Sequence, residues 1–164
     1  MFGITPLGWL HTLGSLPAIP LAAYMVFRYG RIAPRSTVGL LYLAFMVIGA
    51  ATVFLVAKAP ESVFVGAVTL LVLLAGYTVG RIGFLGRARA YLETFFLSLS
   101  VFLLMVPTTS EILRRVPDGN PIAADPGSPI IKAALGLLAL MLVLGLAAQF
   151  IYMARNKQAF REAR

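Results

Sequence analysis

The chain has no cysteine and one histidine, His11. Without cysteine there are no disulfides and no thiolate metal ligands, and cysteine usage carries no record of the redox compartment. A single histidine excludes bis-histidine haem within one chain. It is also a poor start for catalytic zinc, which normally takes three protein ligands. Haem held by His11 and a methionine such as Met105 has no motif behind it. Charge is scarce as well, at 12% of residues. Missing too are HExxH, GxSxG, a phosphate-gripping glycine loop and any serine or cysteine triad pattern. The run Gly80-Arg81-Ile82-Gly83-Phe84-Leu85-Gly86 is glycine-rich. It follows an apolar helical stretch and not a strand, so a dinucleotide reading fails on context. The opening Met1-Phe2-Gly3-Ile4-Thr5-Pro6 has no basic n-region and no small-residue cleavage signature, which argues against a cleaved signal peptide. No low-complexity tract and no convincing internal repeat interrupts the pattern.

What the chain has in excess is apolar side chain. Hydrophobic residues make up 60% of its 164 positions, and the mean hydropathy is +0.90. At this length, which suits one domain over 1–164, surface grows too fast relative to core for so much apolar area to be hidden from water. Lipid must cover it. The formal charge of +8 does not point to nucleic acid. The basic residues sit in short clusters between apolar stretches, as membrane proteins place them, and no nucleic-acid motif accompanies them.

Crossing the hydrocarbon takes about 20 apolar residues in a helix, because lipid cannot satisfy open backbone groups. Five segments qualify, at about 4–27, 37–57, 62–84, 91–113 and 130–154. The expected fold is all-α, an integral membrane bundle of five transmembrane helices. Pro17 and Pro20 fall inside the first segment and predict a kink or a discontinuous helix, with Gly14 and Ser15 giving room for it. A re-entrant first segment is the alternative. It lowers the count to four and moves only the N-terminus. Lys58-Ala59-Pro60-Glu61 reads as a tight hairpin turn, and Pro107 as a bend within the fourth helix. The stretch from Pro117 to Pro129 has surface-loop composition.

Lysine and arginine orient the bundle. With the N-terminus outside and the C-terminus cytoplasmic, Arg28, Arg31, Arg35, Arg81, Arg87, Arg89, Arg155, Lys157, Arg161 and Arg164 lie inside. Only Lys58, Arg114, Arg115 and Lys132 lie outside, as the positive-inside rule requires.

Small residues in the third helix, Gly76-x-x-x-Gly80 with Gly83 and earlier Gly66, let two helix backbones approach closely. The contact is either a crossing within the bundle, which is favoured, or an oligomer interface. In helices four and five Ser98, Ser100 and Gln149 offer polar groups, and Gln149 needs a partner if it faces protein. Intramembrane ionisable groups are the default candidates for function. Glu93 and Arg81 flank the short connection between the third and fourth helices and are expected to form an interfacial ion pair. That pair reads as a gate or anionic-ligand site, or more plainly as an anchor with Glu93 at a helix N-terminus. At the outer end, His11 near Trp9 is grouped with Glu111, Thr108, Thr109 and Ser110 as a cation, proton or headgroup site. Each of these companions is common at helix ends.

Leu10-His11-Thr12-Leu13-Gly14, the basic run Arg28 to Arg35, and Gly86-Arg87-Ala88-Arg89-Ala90-Tyr91-Leu92-Glu93-Thr94-Phe95 leading to Pro107-Thr108-Thr109-Ser110-Glu111 resemble small uncharacterised bacterial inner-membrane proteins. The resemblance covers roughly Leu10 to Arg115 and implies a bacterial inner-membrane setting, with no assigned activity. Such proteins carry further histidines before the second and fourth helices. Those are missing here, so no metal or haem site is carried over and any cofactor stays unknown. Two function classes follow: a small oligomeric channel or transporter, or a non-catalytic accessory subunit that binds another membrane protein or lipid. A membrane enzyme is the third and least supported. The partners implied are the bilayer and either further copies of the chain or an unlike membrane protein.

Overall fold

Three of the helix starts are marked by short polar side chains that occupy otherwise open backbone donors. Thr5 caps α1 (Pro6–Ser15), its hydroxyl accepting from the Gly8 amide at 3.1 Å. Ser36 does the same for α3 (Thr37–Val56) through the Gly39 amide at 3.0 Å. Ser128 precedes α6 (Pro129–Arg155), whose first position is proline, where the absent N–H costs nothing. Between them lie α2 (Ala18–Tyr29), α4 (Pro60–Thr78) and α5 (Ala88–Arg115). The computed structural model describes residues 5–57 and 60–156. Five helical stretches are long and apolar enough to span a membrane, with α1 and α2 together forming the first.

The first span is discontinuous at Leu16–Pro17, as its prolines predict. Pro17 cannot donate to the Leu13 carbonyl, and α2 restarts with the Leu21 amide on the Pro17 carbonyl at 3.3 Å. The two arms still form one crossing. His11 lies opposite Thr52 and Ser15 opposite Gly49, while Met25 meets Ser36 near the other end of α3. That register runs the length of α3 and is consistent with a first span that crosses alongside it.

Two boundaries differ from expectation. The α-helix of the third span ends at Thr78 and tightens into a 3₁₀ turn, Val79–Arg81, so that the span closes at Arg81 instead of reaching residue 84. A second 3₁₀ turn, Gly83–Leu85, then leads to Gly86 at φ 53, a left-handed position that glycine adopts without steric cost. The fourth span starts early, at Ala88, and continues through Pro107 to Arg115. In the expected hairpin before α4, Lys58 and Ala59 lie outside the described residues, while Pro60 and Glu61 form the first turn of the helix.

The core gathers Ala18, Ala22 and Met25 of α2, Tyr42 and Met46 of α3, Leu73 of α4, Leu97 of α5, and Ile32 from the α2–α3 linker. Glycines set the close approaches. A Cβ on Gly76 would sit 2.7 Å from Leu97, one on Gly49 would sit 2.6 Å from Ser15, and one on Gly66 would strike Val53. Apart from α5, the last helix has little to pack against: only Ile131 and Met153 of its residues are buried.

Alternating direction puts two chemically different ends on the bundle. One holds Arg28, Arg31, Arg35, Arg81, Arg87, Arg89 and Arg155, with Glu93 as its one carboxylate among the described residues. The other mixes Glu61, Glu111, Asp118 and Asp125 with Arg114, Arg115 and Lys132.

Candidate functional site

At the arginine-rich end the linker between α2 and α3 folds back over the helices. Gly30 makes the turn at φ 70, with no space for a side chain because the Tyr152 ring would lie 2.6 Å from its Cβ. Ile32 is buried to 1% exposure and pins the linker to the core. Gly39 lies against the Ala33 carbonyl, so α3 begins tucked beneath the chain that leads into it.

This folding brings Arg31 and Arg35 onto Glu93. Arg31 Nη1 donates to Oε1 at 3.0 Å and Arg35 Nη2 to Oε2 at 2.9 Å, so each carboxylate oxygen takes one guanidinium. Glu93 is only 2% exposed, while the two arginine side chains are 15% and 53% exposed. Gly80 lies directly beneath, where a Cβ would collide with the Glu93 carboxylate and the Arg35 guanidinium. A glycine at that point of the 3₁₀ turn Val79–Arg81 is therefore what admits the cluster. Burial pulls the Arg31 guanidinium below its ordinary value, and the Glu93 carboxylate opposes the shift. One carboxylate against two guanidinium groups leaves the cluster a cation overall.

Polar groups deeper in the bundle are joined to one another. Ser100 donates to the Leu97 carbonyl at 2.7 Å, so the Tyr42 hydroxyl 2.8 Å away is the donor to Ser100 Oγ. Tyr77 donates to the Gly39 carbonyl at 2.5 Å, and Thr94 to Met153 Sδ at 3.4 Å. Gln149 finds the partner it needs in Ser98, with Nε2 3.1 Å from the serine oxygen. Among the described residues every buried side-chain oxygen and nitrogen has a hydrogen-bond partner.

Of the residues singled out by sequence, Glu93 stands at the centre of this cluster. Arg81 does not join it. It sits exposed at the end of the 3₁₀ turn, and the carboxylate takes instead two arginines from a linker about 60 residues earlier. At the opposite end His11 Nδ1 lies 2.9 Å from Thr52 Oγ1. Thr52 Oγ1 also lies 2.6 Å from the Ile48 carbonyl, to which it donates within its own helix. Glu111 is an electrostatic neighbour of His11, but its hydrogen bonds go to Arg114 at 3.5 Å and to Arg115. Thr108 donates to the Leu104 carbonyl at 2.7 Å within its own helix. Gly76 of α4 meets Leu97 of α5, and Gly80 of the following 3₁₀ turn meets Glu93 of α5, whereas Gly83 lies in an exposed turn with open space where a Cβ would stand. Among the described residues no group of three histidine, aspartate or glutamate side chains comes together.

The chain matches no family model, no curated protein and no solved structure. Of the resemblance to bacterial inner-membrane proteins, the part that stands is architectural: this is a multi-span, all-helical membrane protein. Sequence reasoning missed Tyr42 and Thr52, and read Arg31 and Arg35 as orienting charges without their pairing to Glu93. Arg31 and Arg35 were visible only as part of a basic run, and Thr52 as a polar side chain near the end of an otherwise apolar span.

Proposed function

We propose that the chain is a non-catalytic membrane subunit that acts through its surfaces, binding another membrane component while its interior serves as a rigid support. The observation that carries this reading is where the interior polar groups go. Tyr42 with Ser100, Tyr77 with the Gly39 carbonyl, Ser98 with Gln149 and Glu93 with its arginines are each engaged inside the chain. An ion or solute path needs polar groups directed at the traffic. The glycine contacts between α3 and α4 and between α4 and α5 bring each of those helix pairs into close contact. In this reading the arginine end faces the cytoplasm by the positive-inside rule, in a plasma membrane of bacterial type.

A pore assembled between copies is the second reading. It is favoured by α6, along which most large side chains are exposed and Gly136 and Gly145 have open space around them. The deciding experiment has two readouts. Protein reconstituted into liposomes is assayed for potassium and proton flux under an imposed potential, and native mass spectrometry is run on material gently solubilised from its own membrane. The subunit reading expects flux equal to that of protein-free vesicles and a complex with an unlike chain. Sustained flux, or a mass at whole multiples of the chain, overturns it in favour of the pore.

A further inference from the structure

The arginine end carries a second feature that the buried cluster does not use. Large aromatic side chains stand out from the fold beside its exposed arginines: Phe27 is 91% exposed and Phe84 is 89% exposed. Phe27 directly precedes Arg28, whose guanidinium lies 5.7 Å from the centre of the Tyr29 ring. Phe84 projects from the 3₁₀ turn Gly83–Leu85, with Arg81 before it and Arg87 after it, both exposed. Arg155 adds a further exposed cation in the last turn of α6.

Cations alone fit any anion. Cations interleaved with exposed phenylalanine fit one environment better than the rest, the border where phosphate headgroups meet acyl chains. A free phosphate offers nothing to cover the rings, and water leaves them exposed. Glu93 is the one carboxylate among the described residues at this end, and its own arginines already occupy it, so it does not offset the outer charge. The opposite end lacks this character, since acids and bases are mixed there.

We propose that the end bearing Arg28, Arg81, Arg87 and Arg155 is a docking surface for anionic phospholipid headgroups, with Phe27 and Phe84 seated at the acyl border beneath them. The surface selects anionic lipid over zwitterionic lipid of the same chains. Selection comes from the outer arginines, and the inner pair on Glu93 holds the linker in place. This inference is independent of the subunit reading and stands or falls on different data.

The test uses the full chain in detergent with an equimolar mixture of phosphatidylglycerol and phosphatidylcholine of matched acyl chains. Retained lipids are counted by native mass spectrometry. The expected result is clear enrichment of phosphatidylglycerol. Arg81→Gln, Arg87→Gln and Arg155→Gln, none of which touches the Glu93 cluster, should each lower the enrichment about fivefold. Lys132→Gln at the opposite end should leave it unchanged, and all four variants should melt with the parent. Equal retention of the two lipids overturns the proposal, as does an enrichment that survives the triple arginine variant or falls equally with Lys132→Gln. Displacement of phosphatidylglycerol by millimolar inorganic phosphate also overturns it, because the surface is then a free-anion site.

Discussion

Replacing Glu93 by glutamine keeps the size of the side chain and removes its charge, which isolates what the carboxylate does for its arginines. Arg31 is 15% exposed, so its cation would be left where water is largely excluded. Breaking such a buried pair from one side costs about 3–5 kcal/mol. Arg35, at 53% exposure, turns to solvent when released, and its pairing is worth what surface pairs are worth, about 0.2–1 kcal/mol. Glu93→Gln and Arg31→Gln should therefore each destabilise the bundle by roughly 3 kcal/mol, and Arg35→Gln by less than about 1 kcal/mol. The assay is unfolding by dodecyl sulfate in mixed micelles, run as double-mutant cycles. Coupling between Glu93 and Arg31 should exceed about 2 kcal/mol, whereas coupling between Glu93 and Arg81 should stay within about 0.5 kcal/mol of zero. A Glu93→Gln protein as stable as the parent would refute the reasoning. So would an Arg81 coupling as large as that of Arg31, because the carboxylate would then have the partner that its short connecting loop suggests.

Four further outcomes follow from the packing and the topology. Gly39→Ala should unfold or severely destabilise the protein, because the obstacle is the fixed Ala33 carbonyl, while Gly76→Ala should cost about 1–3 kcal/mol by crowding the movable end of Leu97. Gly136→Ala and Gly145→Ala meet open space and should be neutral or stabilise by up to about 1 kcal/mol, so equal losses at all four glycines in the same unfolding assay would contradict the contacts. Tyr42→Phe and Thr52→Val each delete one interhelical hydrogen bond, and the loss expected from either is about 1 kcal/mol, read as a lowered melting temperature. Because the chain has no native cysteine, single cysteines at Asp125 and Arg87 report orientation directly: an impermeant maleimide applied to intact cells should label the first and spare the second, and the reverse pattern inverts the proposed topology.

The spans were legible in the sequence because the bilayer is a simple solvent. It demands apolar length, and hydropathy records that without reference to neighbours. The break at Pro17 was legible for the same local reason, since proline removes a donor wherever it stands. Partners were not. Arg81 lies on the short connection that leads to Glu93, far nearer along the chain than Arg31 or Arg35, whereas the cluster depends on how α2, α3, α4 and α5 meet. The glycine at position 80 is the clue that joins the two scales: it was read as a packing residue, and its function in the fold is to leave room for a carboxylate and a guanidinium. The peripheral position of α6 left no trace either. A helix apolar on every side looks the same in sequence whether it faces protein or lipid.

The arginines of the α2–α3 linker and their carboxylate also differ in the order in which they are made. Glu93 follows Arg31 by 62 positions and Arg35 by 58. At translation rates of about 5–20 residues per second, the arginines wait about 3–12 s for the carboxylate to be synthesised. Through that interval neither arginine has its Glu93 contact, and lipid phosphates at the membrane border are the counter-ions expected to serve them. When α5 enters, Glu93 takes over from them and the linker settles onto Gly80. Closing the cluster therefore marks, on the growing chain, the moment when four of the five spans have been delivered and before the last has docked.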